Sequence, residues 1–294
     1  MARLLLAHPL FLTKSPDEQR AASPYFPLGL LYLAAYARDS GHDVAVFDGT
    51  FEEDESAFDR ALTEHEPDLV GLAALQPTRS VALTLADMAK ARGIVTVLGG
   101  PDPTRDPAVY AAHPAVDLVV HHEGEQTLVA LLDVLDAGGS LPAGAIDEPG
   151  VAIEVGASVI LNAPRPPIED LDALPLPARD LIDMDRYLQT WEDQNGYGSV
   201  TIATTRGCPY GCSWCADAVH GDGFRQRSPE NVAAEVAAIK EQFDPRRLRL
   251  VDDVDGIERD WFDAWVDAGA DVPFEPLNNI ARRDLPLLEM ADPL

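Results

Sequence analysis

The stretch IVTVLGG, residues 94–100, is an apolar run of strand length that closes on a glycine pair. Four comparable runs lie elsewhere in the first 123 residues, namely RLLLAHPL (3–10), DVAVFDG (43–49), DLVGLAAL (68–75) and DLVVHHE (117–123). Such continuous runs are typical of parallel strands that are covered on both faces. Segments of helical period separate or follow them, at residues 28–40, 57–64, 81–92, 108–112 and 126–137. The pattern predicts an α/β fold, a doubly wound parallel sheet with its ligand at the carboxyl ends of the strands.

Two of these strand ends carry candidate binding residues. Gly99 and Gly100 close the fourth run, where the missing side chains leave the backbone room to approach a ligand. Glu123 and Gly124 follow the fifth run, beside the start of a helix. A plain turn is the alternative interpretation of the glycine pair.

All three cysteines of the chain lie in one run, TTRGCPYGCSWC (204–215), at positions Cys208, Cys212 and Cys215. This CxxxCxxC spacing indicates an iron–sulfur site with one iron left open, because three thiolates cannot fill the four corners of a cubane cluster. A structural zinc site completed by His220 is the main alternative, although zinc ligands usually come in two separated pairs. The odd count and the tight spacing disfavour a disulfide.

The cysteine run resembles the signature of radical S-adenosylmethionine (radical SAM) enzymes, and Trp214 matches the aromatic residue before the last cysteine of that signature. The resemblance implies that the three cysteines hold a 4Fe-4S cluster, while the amino and carboxylate groups of S-adenosylmethionine chelate the fourth iron. Trp214 is then a candidate cofactor-binding residue. The resemblance also implies an electron donor such as ferredoxin or flavodoxin.

A second resemblance covers the predicted sheet. The segments FPLGLLYLAAYARDSGHDV (26–44), LGGPDPT (98–104) and HHEGEQTL (121–128) resemble the cobalamin-binding domain that precedes the radical domain in a large group of these enzymes. The chain lacks the Asp-x-His-x-x-Gly run that supplies a histidine to cobalt in other cobalamin proteins, although His8 lies near that place. A bound cobalamin is therefore expected to have no protein histidine below the cobalt. A Rossmann-like domain with another ligand, or with none, is the alternative.

Three strands and two helices are predicted after residue 198. The strands are SVTIATT (199–205), RLRLVDD (247–253) and DVPFEPLNN (271–279), and the helices cover residues 230–242, behind an N-cap at Ser228, and 261–268. The repeat of strand, loop and helix is similar to the first half of a radical SAM (β/α) barrel, in which functional residues lie at the carboxyl ends of the strands.

Charged residues near these strand ends are further candidates. Asp252 and Asp253 follow the second strand, and the resemblance implies that an acid at this place receives the amino group of the substrate, so both are candidate cofactor-binding residues. Helix capping is the alternative for either one. Arg225 and Arg227 are candidates for pairing with a carboxylate or phosphate, with solvated surface as the alternative.

The chain is thus predicted to have three parts. These are a cobalamin-binding domain at residues 1–140, a connector at 141–198 that consists of a hairpin (151–161) and proline-stiffened linker, and half of a radical SAM barrel at 199–294. Such barrels usually carry six strand–helix units, of which this chain offers three. The chain is therefore expected to be a fragment, a truncated product or one part of a split enzyme that a partner chain completes.

Composition narrows the possible partners. The net charge is -28, from 50 acidic and 22 basic residues spread along the chain, and such a surface repels nucleic acid. The excess of acids with few lysines is typical of proteins from a salty cytoplasm. No apolar stretch approaches the length of a membrane span and the N-terminus lacks the features of a signal peptide, so a cytoplasmic protein is expected.

The leading functional hypothesis is a cobalamin-dependent radical SAM methyltransferase that acts on an unreactive carbon of a small molecule. The resemblance also allows ring closure or rearrangement chemistry. A cobalamin- or metal-binding protein without catalytic activity is the hypothesis from another class. The sequence does not identify the substrate.

Overall fold

A computed structural model of the chain describes residues 1–210, 219–221, 223–254, 259–269 and 272–276. Its contacts divide the chain into two compact units. The first unit comprises Met1–Gln19, Gly29–Ile168 and Pro177–Ile182, and the second comprises Arg20–Leu28, Glu169–Leu176 and the chain from Asp183 onward. The three-part division drawn from the sequence stays a prediction.

A seven-stranded sheet forms the centre of the first unit. Its strands are β1 Arg3–His8, β2 Asp43–Asp48, β3 Leu69–Ala73, β4 Val95–Gly99, β5 Leu118–Val120, β6 Val151–Val155 and β7 Ser158–Leu161. Their order across the sheet is β2-β1-β3-β4-β5-β6-β7. The first five strands are parallel, whereas β6 and β7 run antiparallel. The predicted hairpin is therefore present, and its pairing with β5 makes it an extension of this sheet.

Helices cover both faces of the sheet. They are α2 Leu28–Asp39, α3 Ser56–His65, α4 Arg79–Ala91, α5 Pro101–Arg105, α6 Pro107–Ala111 and α7 Glu125–Asp136. The short helix α1, Pro16–Ala21, precedes them and has no buried residue. One hydrophobic cluster joins the sheet to Phe58 of α3 and Leu85 of α4. A second cluster joins it to Leu30 of α2 and Leu131 of α7. Helices on two faces of a parallel sheet confirm the doubly wound fold, because each face of every central strand is buried.

The second unit contains the repeated strand and helix pattern. Its described elements are α8 Met184–Asn195, β8 Ser199–Ile202, β9 Thr205–Arg206, β10 Arg225–Gln226, α9 Pro229–Phe243, β11 Arg247–Leu250, α10 Arg259–Asp267 and β12 Phe274–Pro276. Strands β12, β11 and β8 form a parallel sheet in that order. The Ser228 hydroxyl accepts a hydrogen bond from the Asn231 amide at 3.1 Å, so the predicted N-cap of α9 is confirmed.

Helix α8 lies in a stretch for which the sequence indicated only a proline-stiffened linker. The Asp183 carboxylate caps it by accepting a hydrogen bond from the Arg186 amide at 3.1 Å. Gly196 ends it in the left-handed conformation, with its amide bonded to the Glu192 carbonyl. The prediction was wrong here because the prolines that suggested a linker all precede residue 178, whereas the capping residues follow them.

Candidate functional site

The glycine pair at the end of β4 brings the ends of three strands together. Gly100 has φ 100° and ψ -172°, a conformation that is open to glycine and to almost no other residue. A Cβ on Gly100 would lie 3.2 Å from the Ala74 carbonyl oxygen, and one on Gly99 would lie 3.2 Å from the Val120 carbonyl oxygen. The missing side chains therefore let the neighbouring backbones approach, and the turn interpretation stays open beside the cofactor-binding one. A cofactor contact by either glycine stays a prediction.

Glu123 and Gly124 connect β5 to α7. The buried Glu123 carboxylate accepts a hydrogen bond from the Ile168 amide at 3.0 Å. The Gly124 carbonyl accepts the Leu128 amide at 2.8 Å in the first turn of α7. A Cβ on Gly124 would lie 3.3 Å from the Leu33 side chain, so this glycine also serves close packing. Both residues lie at the predicted edge of the sheet, and their role toward a ligand stays a prediction.

His8 ends β1 at the same edge of the sheet. Its side chain is buried, and its Nε2 has no hydrogen-bond partner among the described residues. Burial lowers the pKa of His8, while the charge of Asp48 opposes that shift. The Asp48 carboxylate in turn accepts hydrogen bonds from the Thr50 amide at 3.1 Å and the Thr50 hydroxyl at 2.7 Å. His8 is therefore a neutral imidazole with a polar atom left for a ligand.

His121 repeats this situation at the end of β5. It is buried, its Nε2 has no hydrogen-bond partner in the described part of the chain, and burial, followed by the charge of His122, lowers its pKa. His122 adopts φ 63°, and its amide is held at 3.0 Å by the Thr104 hydroxyl. A buried polar atom usually has a partner, so the two orphaned imidazole nitrogens at this edge fit a polar ligand such as cobalamin.

A third polar cluster lies at the carboxyl ends of these strands, and the sequence did not indicate it. The Arg79 guanidinium binds both oxygens of Asp102, at 2.8 and 2.9 Å, and the Tyr110 hydroxyl donates to the same carboxylate. The hydrogen bond from Arg79 lowers the pKa of Asp102, and burial, with the bond to Asp102, raises the pKa of Tyr110 to about 12. These residues come from three different helices, so no local spacing could indicate them.

The cysteine loop starts directly after a narrow neck in the second unit. β9 and β10 pair antiparallel, with Arg206 opposite Arg225, so the chain enters and leaves the loop at one place. Gly207 has φ 80°, and a Cβ there would lie 1.8 Å from the Gly223 carbonyl oxygen, which leaves no room for a side chain. Cys208 follows and is half-buried. Cys212, Trp214 and Cys215 lie outside the described residues.

Two aspartates at the end of β11 hold the strand that leads into this loop. The buried Asp252 carboxylate accepts hydrogen bonds from the amides of Thr204 and Thr205, at 2.6 and 2.8 Å, and from the Thr204 hydroxyl. Asp253 accepts the Gly207 amide at 3.1 Å. Both predicted acids therefore contact the backbone within four residues before Cys208. That either acid contacts a cofactor or substrate stays a prediction.

Arg227 contacts this strand and forms a buried ion pair with Glu235. Its guanidinium donates to the Glu235 carboxylate, to the Ala203 carbonyl at 2.9 Å and to the Asn231 side chain at 2.7 Å. The Arg227 and Glu235 side chains are only 6% and 0% exposed. The solvated-surface interpretation of Arg227 was therefore wrong, and its carboxylate partner belongs to the protein itself.

Arg225 is also buried, and it donates to the His220 carbonyl at 3.4 Å across the neck of the loop. The solvated-surface interpretation was wrong for this residue too. The zinc alternative with His220 stays open. No cluster of three or more His, Cys, Asp or Glu side chains suited to a metal occurs among the described residues, which include only one of the three cysteines.

Comparison with known proteins identifies the class. Residues 19–132 match the B12 binding domain family. The chain is 32% identical over 232 residues to an uncharacterized methyltransferase of Pyrococcus horikoshii, covering 77% of this chain and 48% of that protein. It is 29% identical over 267 residues to the anaerobic magnesium-protoporphyrin IX monomethyl ester cyclase of Rubrivivax gelatinosus, covering 88% of this chain and 46% of the cyclase. The chain thus spans about half the length of the curated relatives it matches.

A solved structure matches the fold as well. The cobalamin-dependent S-adenosylmethionine radical enzyme OxsB, with aqua-cobalamin and S-adenosylmethionine bound, superposes with a TM-score of 0.77 at 18% identity. The match covers 93% of this chain and 38% of OxsB. The chain therefore carries a B12 binding domain. It belongs to the family of the Pyrococcus horikoshii methyltransferase, and the likeness to OxsB, at 18% identity, shows the fold. None of the helices within the described residues is long and apolar enough to cross a membrane.

Proposed function

We propose that the chain works as a cobalamin-dependent radical SAM methyltransferase, with Cys208, Cys212 and Cys215 as the ligands of a 4Fe-4S cluster. The cluster supplies reductive cleavage of S-adenosylmethionine, and cobalamin supplies methyl transfer to an unreactive carbon of a small molecule. A low-potential ferredoxin or flavodoxin supplies the electron. The observation that carries the proposal is the neck at Gly207 and Gly223, which presents the first cysteine of a CxxxCxxC run at the carboxyl end of β8.

The chain's own residues position and enclose the reacting groups. Asp252 and Asp253 fix the backbone before Cys208 from the neighbouring strand, so the first thiolate starts from a defined place. Cys208 itself is half-buried. In the first unit, the buried imidazoles of His8 and His121 each offer one nitrogen to a polar group.

Anaerobic reconstitution of the full chain with iron and sulfide tests the metal. We expect about four irons and four sulfides per chain, with broad thiolate-to-iron absorbance. Replacement of Cys208, Cys212 or Cys215 by Ala should each abolish the intact cluster, because two thiolates cannot hold it. Tyr210→Phe is the matched control, since it changes an exposed side chain of the same loop and keeps all three sulfurs. Stoichiometric zinc without sulfide would overturn the proposal.

Cobalamin binding is tested on the same full chain. We expect one cobalamin per chain, with no nitrogen splitting from a protein ligand in the paramagnetic resonance spectrum of the Co(II) form. Strong nitrogen splitting that vanishes in His8→Ala would show that His8 is a cobalt ligand. Failure to retain any cobalamin would remove this cofactor from the function.

Ring closure is the second candidate function, because one relative is named as a magnesium-protoporphyrin ester cyclase. The two candidates differ in the fate of the methyl group. Turnover with S-adenosylmethionine labelled in the methyl group would place the label in the product of a methyltransferase, and would leave it in methionine if the enzyme only closes a ring.

A further inference from the structure

Strand β11 has one apolar and one charged face. Leu248 and Leu250 are fully buried, whereas Arg247 and Arg249 alternate with them and therefore point to the opposite face. Leu248 is level with Phe274 of β12, whose ring lies 5.2 Å from that of Trp265 in α10. The helices of the repeat thus cover the leucine face. The arginines therefore lie on the face that is turned away from α9 and α10, which is the inner face in a β/α barrel.

Two aromatic rings hold the Arg249 side chain in place. Its guanidinium carbon lies 4.8 Å from the centre of the Trp191 ring and 5.0 Å from that of Tyr25. Trp191 is itself fixed, since its indole N–H donates to the Pro24 carbonyl at 2.8 Å. Aromatic rings attract the flat faces of a guanidinium through cation–π contacts, but they do not accept its in-plane N–H groups. The contacts therefore orient Arg249 and leave its hydrogen-bond donors unused.

The nearby carboxylate is already engaged by other groups. Glu275 accepts hydrogen bonds from the Arg247 guanidinium at 2.6 Å and from the Tyr197 hydroxyl at 3.1 Å. The Arg249 Nε lies 3.9 Å from the other Glu275 oxygen, beyond hydrogen-bond distance. Within the described part of the chain, Arg249 makes no hydrogen bond, and its buried Nε has only this longer ion-pair contact. Its side chain is 18% exposed, so a ligand can still reach it.

We propose that Arg249 binds an anionic group, a carboxylate or a phosphate, of the substrate on the inner face of this sheet. The assignment rests on the proposed function, because it names a substrate class for that site. An arginine whose plane is fixed presents two parallel N–H donors, which match the oxygens of a carboxylate or phosphate. In a chain of net charge -28, the overall field repels anions, so a fixed cation attracts an anion only at short distance.

Titration of the full chain with sodium phosphate and sodium acetate, at constant ionic strength set by chloride, tests this proposal. Trp191 stacks on Arg249, so binding should change tryptophan fluorescence with saturation. We expect Arg249→Gln to weaken binding of at least one probe by about 10- to 100-fold, because a hydrogen bond to a charged group is lost. Arg249→Lys should weaken it less. Arg246→Gln, which removes an exposed arginine next to the same strand, should leave binding unchanged.

Three results would overturn the proposal. The first is that wild type and Arg249→Gln bind phosphate with the same affinity and also bind acetate with the same affinity. The second is that chloride alone reproduces the wild-type fluorescence response. Weaker binding of S-adenosylmethionine with unchanged binding of the probes also overturns it, because Arg249 then serves the cosubstrate. If Arg249→Gln does not fold, Arg249→Lys must show the weakening instead. The titration needs neither cluster nor cobalamin, so it can succeed or fail independently of the proposed function.

Discussion

At the ends of β4 and β5 in the first unit, the backbone approaches its neighbours because glycines stand there. At the ends of β8 and β11 in the second unit, buried acids fix the backbone instead. Gly99 and Gly100 are examples of the first arrangement. In the second, Asp252 accepts backbone amides directly, whereas Glu235 of α9 acts through Arg227, which donates to the Ala203 carbonyl. We therefore expect that added side-chain volume destabilises the strand ends of the first unit most, whereas loss of a buried charge destabilises those of the second unit most.

Loss of the Glu235 charge should give the largest effect. In Glu235→Gln the buried Arg227 guanidinium loses its counter-charge, and breaking one partner of a buried pair costs about 3–5 kcal/mol. All four tryptophans follow residue 183, so urea denaturation followed by tryptophan fluorescence reports on the second unit. The paired change Arg227→Met with Glu235→Leu should cost less than the single one, because it leaves no unpaired charge.

The matched change in the first unit is Asp102→Asn. Its partner Arg79 has a side chain that is 48% exposed, so water can solvate the arginine once the carboxylate charge is gone. We expect a smaller loss of stability than in Glu235→Gln, measured by circular dichroism in urea. A loss of stability equal to or larger than that of Glu235→Gln would contradict this expectation, since the strand ends of the first unit would then depend on charge as much as those of the second unit.

Asp252→Ala should give the next largest effect. It leaves two buried amides and one hydroxyl without their acceptor, but water can enter the space left by the carboxylate and replace part of these hydrogen bonds, so we expect a loss of about 1–3 kcal/mol in total. The same change should lower the iron content after reconstitution, because the strand before Cys208 loses its support. Asp253→Ala is the control, since it removes one hydrogen bond to Gly207 from an exposed carboxylate and should cost about 1 kcal/mol or less. Equal iron content in both variants would contradict the positioning role of Asp252.

The sequence predicted those parts of the molecule that rest on local patterns. The five parallel strands, the hairpin and the Ser228 cap follow from apolar runs and capping residues that lie side by side in the chain. The pairs Arg79–Asp102 and Arg227–Glu235 join different elements, so no spacing in the chain indicates them. Arg249 was missed for the same reason, because Tyr25 and Trp191 come from distant segments.

Gly100→Ala tests the first edge by volume. A Cβ would meet the Ala74 carbonyl oxygen at 3.2 Å in a backbone conformation that alanine avoids, which costs about 1–3 kcal/mol. Gly93→Ala is the control, because Gly93 also has positive φ (76°) but nothing lies within 4 Å of its Cβ. We expect the larger loss for Gly100, in thermal unfolding followed by circular dichroism. Equal losses would show that backbone conformation alone, and not the close approach of β3, sets the cost.

The smallest effect should be a pH dependence that belongs to His8. Burial lowers its pKa below the ordinary value of 6.5, so the unfolded chain binds a proton more readily than the folded one as the pH falls through that value. The stability contribution of neutral His8 is therefore complete above the unfolded pKa, and this contribution decreases as the pH falls from the unfolded pKa to the folded pKa.

His8→Gln removes the titrating group, and the free energy of unfolding should then decrease less between pH 7 and pH 5 than in wild type. Urea denaturation followed by circular dichroism at several pH values measures the slope of this decrease. Identical slopes for wild type and His8→Gln would mean that His8 gains a proton as easily in the folded chain as in the unfolded one.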